Sequence, residues 1–199
     1  MKRAIVYVLF GLFGLSLGVY TALAMSGLLP GDRRSTDGIE INGWTGDLAQ
    51  GSSDASPYLR ARIARHGLLA LAKTEAIYFI RNTDRDGQPL TEECTYRVSG
   101  GPIPAGWWSI TLYNEDNFLP DNDDEALSFD ATQSGGGDWS AIISAASPAE
   151  DGNWISSRNA GKFDLTLRLY MPEDRALTDP EQAIPTPNIA RLQCEGKAS

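Results

Sequence analysis

The chain has 199 residues, 42% hydrophobic and 22% charged, with a formal charge of −9. That composition fits one packed domain with attachments and excludes wholesale disorder. Residues 1–30 hold Lys2 and Arg3 and no acid, which leaves 15 basic against 26 acidic side chains elsewhere. A balance of −11 argues against nucleic acid as a partner and against adhesion to an anionic membrane surface.

Ala4 to Ala24 carries no charge and follows Lys2-Arg3. As a helix it rises about 30 Å, one bilayer core. The basic pair predicts a cytoplasmic N-terminus with the rest of the chain outside the cytoplasm. Ala22-Leu23-Ala24 also has the form of a signal-peptide cleavage site, but the apolar run is longer than a signal core. Residues 1–29 are therefore read as a cytoplasmic stub and transmembrane anchor, with a cleaved signal as the alternative. Gly11, Gly14 and Gly18 share one face of that helix, and Gly14-x-x-x-Gly18 lets another helix approach closely. That predicts self-association or a membrane-protein partner; the competing reading is that glycine is simply common in membrane helices.

Residues 30–52 read as a linker, rich in glycine and without sustained periodicity. Ile39, Ile41 and Trp44 are exceptions that pack back onto the domain predicted over residues 53–199. Asp54 or Ser56 caps a helix with Pro57 at its first position. Tyr58, Ala61, Ala64, Leu68, Leu71 and Ala72 give it one apolar face through about Lys73. The period then shifts toward 2. Strands are predicted at Ala76–Arg81, Cys94–Ser99, Gly106–Tyr113, Ala126–Asp130, Trp139–Ala145 and Lys162–Met171. Asp84-Arg85-Asp86-Gly87 is a turn, Asn114–Asp124 an acidic loop, Ser147–Gly161 a long loop, and the chain after Pro172 a proline-rich tail. Short strands behind one helix predict a mainly β fold, an antiparallel β-sandwich.

Alternation in Gly106–Tyr113 puts Trp108, Ile110 and Leu112 on a core face and Trp107, Ser109, Thr111 and Tyr113 on the other. In Lys162–Met171, Phe163, Leu165, Leu167 and Leu169 oppose Asp164, Thr166, Arg168 and Tyr170. If the two polar faces adjoin, they make an aromatic and hydroxyl-bearing surface suited to carbohydrates or other ring-bearing ligands. The alternative is that the helix covers this face and a buried acid such as Glu75 satisfies Arg168.

Ala76-Ile77-Tyr78-Phe79, Asp84-x-Asp86-Gly87-x-Pro89-Leu90, Tyr96, Gly106–Tyr113, Asn153-Trp154 and Phe163–Pro172 occur in an order that resembles a bacterial family, domain of unknown function 1214. The resemblance covers roughly Ser53 to Arg191 and implies a jelly-roll-like β-sandwich. In larger relatives the domain follows another, domain of unknown function 1254; this chain is too short for that partner and has the apolar segment instead. After Asn153-Trp154 the family tends toward Leu-Pro-x-Pro, whereas this chain has Ile155-Ser156-Ser157-Arg158, so a ligand site shaped by that loop would differ here. The candidate ligand-binding set is Trp107, Ser109, Thr111, Tyr113, Asn153, Trp154, Arg168 and Tyr170.

Cys94 and Cys194 are the only cysteines, and an even pair outside the cytoplasm predicts a disulfide, with two free thiols as the alternative. Asp84-Arg85-Asp86-Gly87 begins like a calcium loop, but its twelfth position is Thr95 rather than glutamate, so a turn is the better account. Asp121, Asp123, Asp124 and Glu125 are read as a solvated charge run. His66 is the lone histidine, and no Gly-x-Ser-x-Gly motif is present, so neither a catalytic residue nor a metal site nor a cofactor is predicted. The expected protein is a single-pass, membrane-anchored binding or assembly module of the cell envelope. The alternative is an envelope hydrolase acting on a glycan or small molecule.

Overall fold

A computed structural model of the chain describes residues 2–26, 38–46, 48, 57–58, 60–61, 71–149 and 152–194. The chain divides into two units, Met1–Thr36 with Ala49–Ala70, and Asp37–Leu48 with Leu71–Ser199. In the first, α1 (Lys2–Met25) is a single helix whose span Ile5–Met25 is long and apolar enough to cross a membrane. Thr21 returns its hydroxyl to the carbonyls of Leu17 and Gly18, so the polar group is satisfied within the helix. Gly11, Gly14 and Gly18 all face open space.

Of the amphipathic helix predicted through Lys73, positions 57–58 and 60–61 are helical, while Leu71 and Ala72 are not. The positions between, His66 included, lie outside the described residues. Beyond them Glu75 shapes a turn: its carboxylate accepts from the Ala72 N–H at 3.1 Å, and the Glu75 and Ala76 N–H groups donate to the Ala72 carbonyl. That turn delivers the chain into the strand Ala76–Arg81.

The second unit is two β-sheets packed over one core. The larger has strand order β1-β2-β3-β9-β5-β6, built from Ile39–Ile41, Trp44–Gly46, Ala76–Arg81, Phe163–Pro172, Ala105–Asn114 and Ser128–Asp130. The smaller has order β10-β4-β7-β8, from Asn188–Cys194, Cys94–Gly100, Trp139–Ser144 and Trp154–Ser156. All named pairs are antiparallel except β7 with β8, which is parallel. The smaller sheet is therefore mixed, where an all-antiparallel sandwich was expected. Short helices α2 (Ala131–Ser134), α3 (Asp174–Thr178) and α4 (Pro180–Ala183) fill connections.

The core follows from alternation. Ile77 and Phe79, Trp108, Ile110 and Leu112, and Leu165, Leu167 and Leu169 meet Tyr96, Val98, Ala141, Ile143, Ile155 and Ile189 in one buried cluster. Trp108 and Trp139 join the sheets directly, with ring centroids 4.7 Å apart, and Phe129 completes the triad. Gly100 is small for this reason: a Cβ there would sit 2.8 Å from the Trp139 ring.

Three stretches read as linker, loop or tail contain strands. Residues 39–46 form a hairpin with Ile41 opposite Trp44 across a two-residue turn, and it pairs through Thr45 and Gly46 with β3. The exceptions Ile41 and Trp44 are both buried, and Trp44 Nε1 donates to the Pro187 carbonyl at 2.9 Å. The loop 147–161 contains β8, and the tail contains β10. Cys94 and Cys194 face each other across β4 and β10 and are joined in a disulfide, 100 residues apart in sequence.

Candidate functional site

The candidate site is the outer face of the six-stranded sheet. Register makes its layout explicit, because directly paired residues point to the same side. One row is Ala76, Tyr170 and Trp107; the next is Tyr78, Arg168, Ser109 and Asp130. Then come Ile80, Thr166, Thr111 and Ser128, and finally Asp164 beside Tyr113. The two polar faces read from the sequence thus form one surface. Asn153 and Trp154 are placed elsewhere: Trp154 pairs with Ile142 on the outward side of the smaller sheet. Their polar groups serve the fold there, Asn153 Nδ2 donating to the Ser140 carbonyl and Trp154 Nε1 to that of Ser144.

Arg168 does not meet Glu75. Glu75 is exposed and engaged with Ala72, whereas Arg168 Nη2 donates to the Tyr113 hydroxyl at 2.6 Å. The guanidinium also lies 5.2 Å from the centre of the Tyr113 ring. Arg168 and Tyr113 are two rows apart, roughly 14 Å along the strands. The two long side chains therefore lean together across the Thr166–Thr111 row, which accounts for buried Thr166 between them.

At the other end of the face the Trp107 and Tyr170 rings stand 5.4 Å apart with planes tilted by 52°. Trp107 Nε1 donates to Thr132 Oγ1 at 3.3 Å. Thr132 is held there by α2, whose capping box has Asp130 accepting from the Thr132 and Gln133 N–H groups while Gln133 returns to the Asp130 N–H. Between the aromatic pair and the Arg168–Tyr113 arch lies Ser109, short and buried. Trp107, Thr111, Tyr113, Arg168 and Tyr170 keep partial exposure, so partly exposed rings flank a low hydroxyl floor.

Tyr78, beside Arg168, is buried, and its phenol titrates above the ordinary value of 10.0. Burial is the main cause and Tyr170 adds to it, while the Arg168 charge pulls the other way. It stays a neutral hydrogen-bonding group at physiological pH. Neither Tyr78 nor Thr132 was singled out from the sequence. Tyr78 is visible in retrospect by its alternation with Ile77 and Phe79. Thr132 follows from Asp130-x-x-Gln133, the spacing of a capping box.

Elsewhere Asp84 and Asp124 brace the fold, while Asp121, Asp123 and Glu125 are exposed. Asp84 is buried, accepts from the Asp86 and Gln88 N–H groups, and pairs with Arg191 Nε at 2.8 Å. The 84–87 segment is thus the expected turn. Beside it, Arg81 donates to the carbonyls of Thr83, Asn42 and Asp84, fastening the β1–β2 hairpin to that turn. Asp124 accepts from Ser156 Oγ at 2.6 Å and pairs with Arg158 at 3.1 Å. Among the described residues no group of three or more His, Cys, Asp or Glu is arranged to hold a metal ion.

The family model described as Protein of unknown function (DUF1214) matches residues 75–174, half of the chain. The chain belongs to this family. The DUF1214 match runs from β3 past the end of β9 and so contains every residue of the outer-face rows. The β1–β2 hairpin, β10 and Cys194 lie outside it. Among solved structures, the VPA0106 protein from Vibrio parahaemolyticus aligns with 70% of this chain at 24% identity and a TM-score of 0.55, which shows a shared fold. An uncharacterized protein from Burkholderia cenocepacia aligns over 62% at 18% identity and a TM-score of 0.36. The DUF1214 chain spans about a third of each of those proteins, 36% and 31%. No curated protein matches it.

Proposed function

We propose that this protein is a membrane-anchored binding module of the bacterial cell envelope. Its β domain faces the periplasm and holds a small ring-bearing ligand on the outer face of the six-stranded sheet. The observation that carries this reading is the partly exposed Trp107–Tyr170 pair beside a floor of hydroxyls. Aromatic platforms with a few oriented polar groups bind sugar and aromatic rings well.

Two features support the location. Lys2 and Arg3 precede the apolar helix, the arrangement that keeps an N-terminus cytoplasmic. The Cys94–Cys194 disulfide belongs to an oxidising compartment. Association through Gly11, Gly14 and Gly18 is part of the same proposal, since a backbone can approach closely there.

The test is purification of the intact chain from its native membranes in mild detergent, followed by mass spectrometry of bound small molecules. Wild type should carry a ring compound that Trp107→Ala lacks. Identical small-molecule content in the two preparations contradicts the proposal.

A further inference from the structure

β10 is an edge strand with little in the core to hold it. Of its residues only Ile189 is buried, and Leu192, Gln193 and Cys194 are exposed. Its pairing with β4 slips between Arg191 and Gln193, so the regular ladder breaks just before the disulfide. The disulfide therefore fastens the free end of β10, joining exposed Cys194 to buried Cys94 at the start of β4.

What β10 carries matters to a second region. Arg191 sets Nε 2.8 Å from the buried Asp84 carboxylate, donates from Nη2 to the Pro89 carbonyl at 2.9 Å, and lies 5.6 Å from the centre of the Tyr96 ring. The Ile189 carbonyl accepts from the Arg85 N–H. Asp84 holds the turn through the Asp86 and Gln88 N–H groups, and its own carbonyl accepts from Arg81, which also donates to the Asn42 carbonyl. A run of polar contacts thus leads from the end of β10 through the 84–89 turn to the β1–β2 hairpin. A buried carboxylate that loses its cation keeps an uncompensated charge, so the turn depends on where Arg191 stands. Asn42 and Gly43 of the hairpin, Asp84, Arg85 and Gly87 of the turn, and Asn188 of β10 wall a cleft of about 460 Å³.

We propose that the Cys94–Cys194 disulfide is a redox latch on this cleft. The reductant is a dithiol. Its first thiolate attacks the exposed Cys194 Sγ, the protein S–S bond breaks, and Cys94 leaves with the electron pair and takes up a proton. The second thiol of the reductant then displaces Cys194 as a thiol, and the reductant departs as a disulfide. Arg191 moves away from Asp84 with the freed end of β10, and the turn and hairpin open locally while the core strands β5 and β9 stay packed. The latch does not depend on what the outer face binds.

The experiment is hydrogen exchange read by mass spectrometry on the full chain in detergent, oxidised and after dithiothreitol, with thiols counted. Without denaturant, dithiothreitol should release two thiols and speed exchange at least tenfold in residues 188–194, 84–89 and 39–46, with β5 and β9 unchanged. Reoxidation should restore the slow rates. Arg191→Met should show the fast turn and hairpin with its disulfide intact. A disulfide that dithiothreitol opens only in denaturant overturns the proposal, as does a reduced chain whose turn and hairpin exchange as slowly as before. Equal acceleration in β5 and β9 also overturns it, because the disulfide then serves the whole fold. So does an oxidised Arg191→Met chain with a slow turn. The wild-type arms decide the latch even where that variant fails to fold.

Discussion

Arg168 reaches across two rows of its sheet to Tyr113, bonding the hydroxyl at 2.6 Å while lying over the same ring. The pair combines a charge-assisted hydrogen bond with a cation–π contact. Tyr113→Phe removes only the first and should cost about 1 kcal/mol in urea unfolding. Tyr113→Ala removes both and should cost at least about 1 kcal/mol more, lost ring packing included. Equal losses for the two variants would show that the ring contact contributes nothing.

The disulfide fastens the last strand of the smaller sheet to β4. Closing a loop of 100 residues restricts the unfolded chain, so replacing both cysteines with serine should cost about 3–4 kcal/mol. Melting with and without reductant checks it. A wild-type protein whose melting ignores reductant, and whose free thiols appear without it, would contradict the pairing.

The β1–β2 turn depends on its glycine. Asn42 and Gly43 have φ of 50° and 82°, the left-handed pair that a two-residue hairpin turn needs. A Cβ on Gly43 would also stand 3.2 Å from the Arg81 guanidinium carbon. Gly43→Val should therefore destabilise by about 2 kcal/mol. Faster hydrogen exchange in residues 39–46 than in β9 would localise the damage.

Tyr78 gives the outer face a pH signature. Its folded-state value lies above the unfolded 10.0, so the folded protein holds this proton more tightly than the unfolded chain does. The associated stability is complete below about pH 10 and is lost as pH rises through the folded value. Urea midpoints from pH 9 to 11.5 should fall more steeply for wild type than for Tyr78→Phe. Parallel profiles would mean that Tyr78 titrates as an exposed phenol does.

The long strands β5 and β9 were legible because each alternates over eight residues or more, as in Trp108, Ile110 and Leu112 against Trp107, Ser109 and Thr111. The adjacency of β5 and β9 was left as a condition, because spacing does not order strands. β1, β2 and β8 have three residues each, too few for a period to show. The Asn42-Gly43 pair was a hairpin signal that the surrounding glycines obscured. In β10 only Ile189 is fully buried, since an edge strand presents few core positions. The candidate site was legible in its two strands and not in its periphery. Asn153 and Trp154 follow one another next to a core strand yet point away on the opposite sheet, and sequence proximity to a motif does not reveal that.

Trp107→Ala tests most directly, with two readouts on one preparation, whether the outer face serves a ligand or the core. A melting temperature within a few degrees of wild type is expected, with loss of the compound that co-purifies from native membranes. A sharply lowered melting temperature with the compound retained would show that Trp107 is part of the packing and would contradict the account.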